Sequence, residues 1–386
     1  MFLFVLLQVA HAALLARETC HKQGEHHAVF SGGFRPWSGL VNYSGNILRD
    51  FVGCEWSTDI YCSDVYMGQP IAHPIRVCEC HKMGFEFVRT GRRGYVRRLP
   101  VGGIGKNEMS YPLVGEEYFE YIDALTSVLD YRLRGETNRP YAVLECGAGF
   151  GYWGITSVVA LRNIAPDADF RIQFVEMSHQ MVHEIYRSLK LNDIPPEKAK
   201  VETGRLTTVK LPQGKSGAWR LHHNVTAKHT TLTNLLSSYE HIDYIDMDCQ
   251  GCEFNVFTTE AMAQIQQKVT RVHIGTHELQ LNFGNTAMER ERAALVAKFT
   301  AFGFEVQWDF PATTVSCHHN NAAHREPFRE TPFGAVCFGD GILSFRNKRF
   351  SQLSVHSPED YTRAWKKLLG HGQVPKHRRA RASGPY

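Results

Sequence analysis

No apolar run in this chain approaches the roughly 20 residues needed to span a bilayer as a helix, so no transmembrane segment is expected. The most apolar stretch, Phe2 to Leu7, is short, and no Lys or Arg precedes it. A secretory signal would carry that basic start, although Ala10-His11-Ala12 has the small-x-small form of a cleavage site. Residues 1–19 therefore read as either a cleaved signal or a buried apolar segment. The first places the chain in the secretory pathway and the second in the cytoplasm. An excess of one charge sign is also absent: 43 Lys and Arg stand against 39 Asp and Glu, for a net charge of +4. That excludes a uniformly basic nucleic-acid coat, and no specific nucleic-acid partner is expected. No internal repeat is present. The cysteines crowding the first 80 residues (Cys20, Cys54, Cys62, Cys78, Cys80) have no C-x2-C spacing among them. A zinc site built from Cys54, Cys62, Cys78, Cys80 and His81 is thus disfavoured against disulfides in an oxidising compartment, or loose thiols elsewhere.

What is present is ordered unevenly. From Tyr361 onward the chain has seven basic residues and no acid, so the remainder is slightly acidic. A second basic run holds Arg89, Arg92, Arg93, Arg97 and Arg98 against the single acid Glu86. Residues 20–110 carry scattered Gly, Pro and aromatics without helical periodicity and read as an irregular, Cys-rich extension. Two sequons, at Asn42 and Asn224, are compatible with glycosylation. Periodicity begins after Pro112. Tyr118, Tyr121, Ile122, Leu125, Val128 and Leu129 predict a helix over 116–133 with one buried face. Strands are predicted at 141–144, 170–175, 200–202, 242–247, 271–274, 304–310 and 341–345. Helices are predicted at 153–160, 181–191, 231–238 and 288–302. This alternation predicts an α/β fold: an open, mostly parallel Rossmann-like sheet with helices on both faces, occupying 111–350. Residues 351–386 read as a C-terminal helix followed by a disordered basic tail.

Glu145-Cys146-Gly147-Ala148-Gly149-Phe150-Gly151 follows the first strand directly. Glycines at alternate positions let backbone approach a ligand and take positive φ. Glu176 closes the second strand, where a carboxylate suits two ribose hydroxyls, and Met177 follows it. Gly149-Phe150-Gly151-Tyr152-Trp153-Gly154 also satisfies G-x-G-x-x-G, with Glu176 at the distance of the acid in a dinucleotide site. Glu145 weighs against that reading, because an acid before the turn repels a pyrophosphate and welcomes a cationic sulfonium. The expected cofactor site is Glu145, Gly147, Ala148, Gly149, Gly151, Glu176 and Met177, with S-adenosylmethionine favoured over NAD.

A second acidic segment ends the fourth strand. Asp246-Met247-Asp248-Cys249-Gln250-Gly251-Cys252-Glu253 places four polar side chains where an open α/β sheet binds ligands. Helix capping by Asp248 with Glu253 in the first turn is the structural alternative.

Taken in order, these segments resemble the FkbM-like methyltransferases of the class I S-adenosylmethionine-dependent fold. The resembling parts are the acidic-Gly-x-Gly turn, Phe174-Val175-Glu176, Leu189-Lys190-Leu191-Asn192-Asp193, Thr231-Leu232-Thr233-Asn234-Leu235-Leu236, the block from Asp246 to Glu253, and His273-Ile274-Gly275-Thr276-His277-Glu278. The resemblance spans about Tyr141 to Phe345. Asp246 and Gln250 depart from it, since Lys and Glu are frequent at those places. It implies methyl transfer to a hydroxyl of a saccharide or another small metabolite, and the Arg89 to Arg98 cluster suits an anionic acceptor. Asp248 is then expected to touch both cofactor and acceptor, with Glu253 and His277 on the acceptor side and no required metal. An NAD-dependent oxidoreductase or epimerase, or a non-catalytic binding protein on the same fold, are the competing readings.

Overall fold

The computed structural model describes residues 116–135, 138–208, 228–277, 285–312 and 341–357, together with Cys54, Asp360, Arg363 and short strands at 40–41, 47–49, 55–57, 85–90, 95–100, 107–108, 329–331 and 334–336. The candidate signal, Cys20, Cys62, Cys78, Cys80 and the basic tail lie outside them. Among the described residues no helix is long and apolar enough to cross a membrane.

Eight strands form the central sheet: β1 (Tyr141–Cys146), β2 (Phe170–Glu176), β3 (Ala199–Leu206), β4 (Lys228–Thr230), β5 (Ile242–Met247), β6 (Val269–Thr276), β7 (Phe304–Phe310) and β8 (Gly341–Asn347). Their order is β4-β3-β2-β1-β5-β6-β8-β7. Every pair is parallel except those made by β8, which runs antiparallel to both β6 and β7. The expected open, mostly parallel Rossmann-like sheet is therefore present, with one reversed strand near an edge.

Both faces are covered, which is why the central strands read as nearly continuous apolar runs. Side chains alternate across β1. Tyr141 and Val143 join the core formed with α1 (Glu116–Arg134), α2 (Tyr152–Ile164) and α3 (His179–Leu191). Ala142 and Leu144 join the core formed with α4 (Leu232–Ser237), α5 (Thr259–Lys268) and α6 (Asn285–Ala301). Capping fixes several helix starts. Ser178, Thr231 and Thr258 each accept a backbone N–H from inside the first turn of α3, α4 and α5.

Helix α1 departs from its expected single buried face: from Phe119 to Tyr131 it is buried all round. The reason is that one side meets two polar side chains of β6, Arg271 and His273. Asp130 accepts from Arg271 Nε at 2.7 Å, and Asp123 lies 2.7 Å from His273 Nδ1. The chain after β8 then crosses above, where Gln352 N and Leu353 N donate to Asp130 Oδ1. Residues 351–357 accordingly form a non-helical strap, and most of the expected C-terminal helix lies outside the described residues. In 20–110, three antiparallel pairs replace part of the expected irregular structure: 40–41 with 107–108, 47–49 with 55–57, and 85–90 with 95–100. Arg89, Arg97 and Arg98 stand on the last pair. Cys54 is fully buried, its Sγ 3.9 Å from Thr156 Oγ1 of α2.

One ion pair anchors the end of the sheet opposite the functional loops. Asp243 is fully buried, accepts from Ala142 N at 2.9 Å, and pairs with Arg134 and Arg139. Burial opposes its charge, but His241, Arg139 and Arg134 together hold the carboxyl below the usual range. Asp243→Asn should cost about 3 kcal/mol, because it leaves the Arg134 guanidinium buried without a counter-charge. Wild-type stability from this group is fully present above the ordinary aspartate range and is lost as pH falls from there through the lowered value of the folded state. Urea unfolding of wild type and variant at pH 7 and pH 3 checks both statements: the gap between them should shrink at the lower pH.

Candidate active site at the carboxyl ends of the strands

The strand order reverses direction at β1: successive strands run outward through β2 and β3, then cross back to β5. Ligands in open α/β sheets bind in the crevice at such a point. Asp246 is paired in register with Glu145, and Met247 with Cys146, so both acidic segments leave the sheet at one level. Asp248 N then donates to Cys146 O at 2.8 Å, which holds the two loops together.

The glycine-rich turn is set by three positive-φ glycines, Gly147, Gly149 and Gly151. Gly147 N and Ala148 N both donate to Val175 O of β2. Gly149 N donates to Glu176 Oε2 at 2.8 Å, and Ser178 N donates to Glu176 Oε1 at 2.6 Å. Glu176 thus locks the first loop to the second. Met177 beside it is 43% exposed, on the rim.

Glu145 has a different setting from the one its sequence position suggests. It is buried beneath the turn, and its two oxygens accept from Trp153 N at 3.3 Å and Gly154 N at 2.7 Å. It caps α2 from below. The helix amides that would otherwise receive a phosphate are therefore bonded to a protein carboxylate.

The other side of the crevice is a chain of three side chains. Glu253, with no exposed surface, accepts through Oε1 from His277 N at 3.1 Å, with His277 Nδ1 2.6 Å from the same oxygen. Its Oε2 accepts from Gly251 N at 2.8 Å. His277 Nε2 lies 2.9 Å from Asp248 Oδ1. An ionised carboxylate only accepts, so with both acids ionised each ring nitrogen donates. His277 is itself buried, whereas the Asp248 side chain is 32% exposed. Of the three expected acceptor-side residues, Asp248 alone reaches outward; His277 and Glu253 stand behind it in that order.

Acids accumulate here, and among the described residues no Lys or Arg forms an ion pair with them. Burial pushes Glu145 up to about 8, with Asp248 and Glu176 adding like charge. Burial raises Glu176 as well. Asp246, wholly enclosed and hydrogen-bonded by Tyr244 Oη at 3.1 Å, is held well above the carboxylate range by burial first and then by Glu145 and Asp248. Asp246 thus lies beneath the site rather than in it.

The structure adds residues that the sequence expectations omit. Cys249 and Cys252 form a disulfide. Their C-x2-C spacing was the available signal. With Glu253 they are the described residues whose donor atoms cluster closely enough to hold a cation. The arginines at 92 and 93 lie outside the described residues.

No family model and no curated protein matches the chain. Among solved structures it is similar to an O-methyltransferase from Bacillus cereus in complex with SAH, at 12% identity and TM-score 0.34, over 61% of this chain and 82% of that one. It is similar to precorrin-6y C5,15-methyltransferase from Geobacter metallireducens at 11% identity and TM-score 0.29, over 57% and 86%. An rRNA methylase from Streptococcus thermophilus aligns at 10% identity and TM-score 0.30, over 60% and 95%. The fold itself rests on the strand order given above.

Proposed function

We propose that this chain is an S-adenosylmethionine-dependent methyltransferase of FkbM-like type, acting on a hydroxyl oxygen of a saccharide or another small metabolite. The observation that carries the cofactor reading is the setting of Glu145. A dinucleotide needs the free amides of the helix behind the glycine turn for its pyrophosphate. Here Trp153 N and Gly154 N are bonded to Glu145, and two further acids, Glu176 and the partly exposed Asp248, stand on the loops that border the crevice. That environment repels a pyrophosphate and suits a cationic ligand.

The residues present fit the cofactor. Gly149, at φ +53, has nothing within 4 Å of where a Cβ would stand, so the turn is open above it. Glu176 keeps acceptor capacity for a ribose hydroxyl beside its bonds to backbone amides, Gly147, Ala148 and Gly151 shape the turn, and Met177 stands at the rim. When bound, the cofactor supplies an activated methyl group on sulfur. Asp248 then orients the acceptor hydroxyl and takes its proton, while His277 and Glu253 hold Asp248 in place. The choice of a saccharide acceptor rests on the motif resemblance alone.

Calorimetric titration with S-adenosylmethionine, S-adenosylhomocysteine and NAD tests the reading. Binding of the first two without the third is expected; binding of NAD alone would favour an oxidoreductase. A pH series adds a sharper check. Burial lifts Glu145 to about 8, so rising pH from 6 to 8 adds negative charge beneath the turn. Affinity for the sulfonium cofactor should therefore rise more steeply over that interval than affinity for the neutral thioether product. Equal slopes would remove the electrostatic argument.

A further inference from the structure

Three sulfur atoms converge where β5 ends. Met247 is fully buried, and its Sδ lies 3.8 Å from Cys249 Sγ and 4.0 Å from Cys252 Sγ. Gln250 and Gly251, both at positive φ, turn the chain so that the two cysteines meet. Both cysteines are half-buried, so they can be reached from outside. A metal centre with metal–sulfur bonds of about 2.3 Å spaces its sulfurs roughly 3.7–4.0 Å apart, in tetrahedral or trigonal geometry. The two separations to Met247 already have that value. The third edge is closed only by the Cys249–Cys252 bond.

We propose that the reduced loop Met247-Asp248-Cys249-Gln250-Gly251-Cys252 is a soft-cation site that takes monovalent copper. Two thiolates and a thioether are the donor set that selects Cu(I). Structural zinc wants four ligands. Glu253 is a further donor nearby: its Oε2 lies 3.1 Å from Cys249 Sγ and accepts from Gly251 N–H, and its Oε1 is held by His277. The sulfur triad alone suffices for Cu(I), whereas Zn²⁺ would have to draw a fourth ligand from Glu253, at the expense of its bonds to Gly251 N–H or His277. An external dithiol opens the site: the Cys249–Cys252 bond breaks, two electrons and two protons pass to the cysteines, and the dithiol leaves as its own disulfide. Cu(I) then displaces the two thiol protons.

The full-length chain, reduced with dithiothreitol and gel-filtered under nitrogen, is titrated with Cu(I) against a bicinchoninate competitor. Wild type should retain one more Cu(I) per chain than the Cys249→Ser/Cys252→Ser double variant, the remaining cysteines being common to both. Met247→Leu should keep that copper but release it to a ten- to hundred-fold weaker competitor. Equal stoichiometry in wild type and double variant would overturn the site, as would displacement of the bound copper by an equimolar amount of Zn²⁺. Should the double variant fail to fold, Met247→Leu decides: an unchanged release point also overturns it.

Discussion

Gly147→Ala is expected to remove cofactor binding and to destabilise the fold by about 4 kcal/mol. Two costs combine. Gly147 sits at φ +80, where an L side chain is strained by roughly 1–2 kcal/mol. Its new Cβ would also collide with the Asp248 carbonyl and stand 2.8 Å from Cys249 Cα. Those are backbone atoms, and they cannot swing aside as a flexible side chain would. Nor can the turn itself move, since Gly147 N is bonded to Val175 O at 2.9 Å and Asp248 N to Cys146 O at 2.8 Å. Overpacking of this kind typically adds a further 1–3 kcal/mol. The two loops must separate, and with them the glycine turn and Asp248. Gly149→Ala is the matched control. It is also at positive φ, but nothing lies within 4 Å of its added methyl. It should cost only about 1 kcal/mol in stability while placing a methyl in the open space above the turn, so affinity falls with the fold intact. Urea midpoints and calorimetric titration separate the two variants. A Gly147→Ala midpoint equal to wild type would mean that the loops are not packed as described.

The sheet was legible from sequence because buried parallel strands such as 141–144 and 242–247 announce themselves as apolar runs, and the boundaries moved by only a few residues. Less visible was α5. In Thr259–Lys268 only Ala261, Met262 and Ile265 face the core, too few to stand out among Gln and Lys. The all-round burial of α1 could not be read either, because it depends on Arg271 and His273 arriving from β6, far along the chain. At the site, residue identities were legible and their roles were less so. Glu145 looks like a ligand carboxylate, but backbone amides of α2 claim both its oxygens. The direction in which Glu253 points is fixed by His277, which sequence spacing does not encode. Cys249 and Cys252 stand in plain view within the acidic block, but the acids beside them are the stronger sequence signal and point to hydroxyl activation.

The second large effect is expected at Asp248. Asp248→Asn should lower turnover by 10²- to 10⁴-fold, the range for loss of a general base, with little change in cofactor affinity. The geometry favours Asp248 over His277 for that role. Both ring nitrogens of His277 are engaged, Nδ1 with Glu253 at 2.6 Å and Nε2 with Asp248 at 2.9 Å. Asp248 uses Oδ1 for His277, and its Oδ2 makes no hydrogen bond among the described residues, so that oxygen can face an acceptor. His277 is then a positioning residue, and its effect has a different signature. His277→Ala should lower kcat by ten- to a hundred-fold, whereas His277→Gln, which can still donate toward Asp248, should recover part of the loss. A purely structural role would show no such recovery at equal melting temperature. Glu253→Gln keeps an acceptor for Gly251 N but turns the Oε1 side into a donor facing His277 in one orientation, so it should resemble His277→Ala rather than Asp248→Asn. If Asp248→Asn turns over within twofold of wild type while His277→Ala does not, the base is the histidine and the order of the three residues must be reversed.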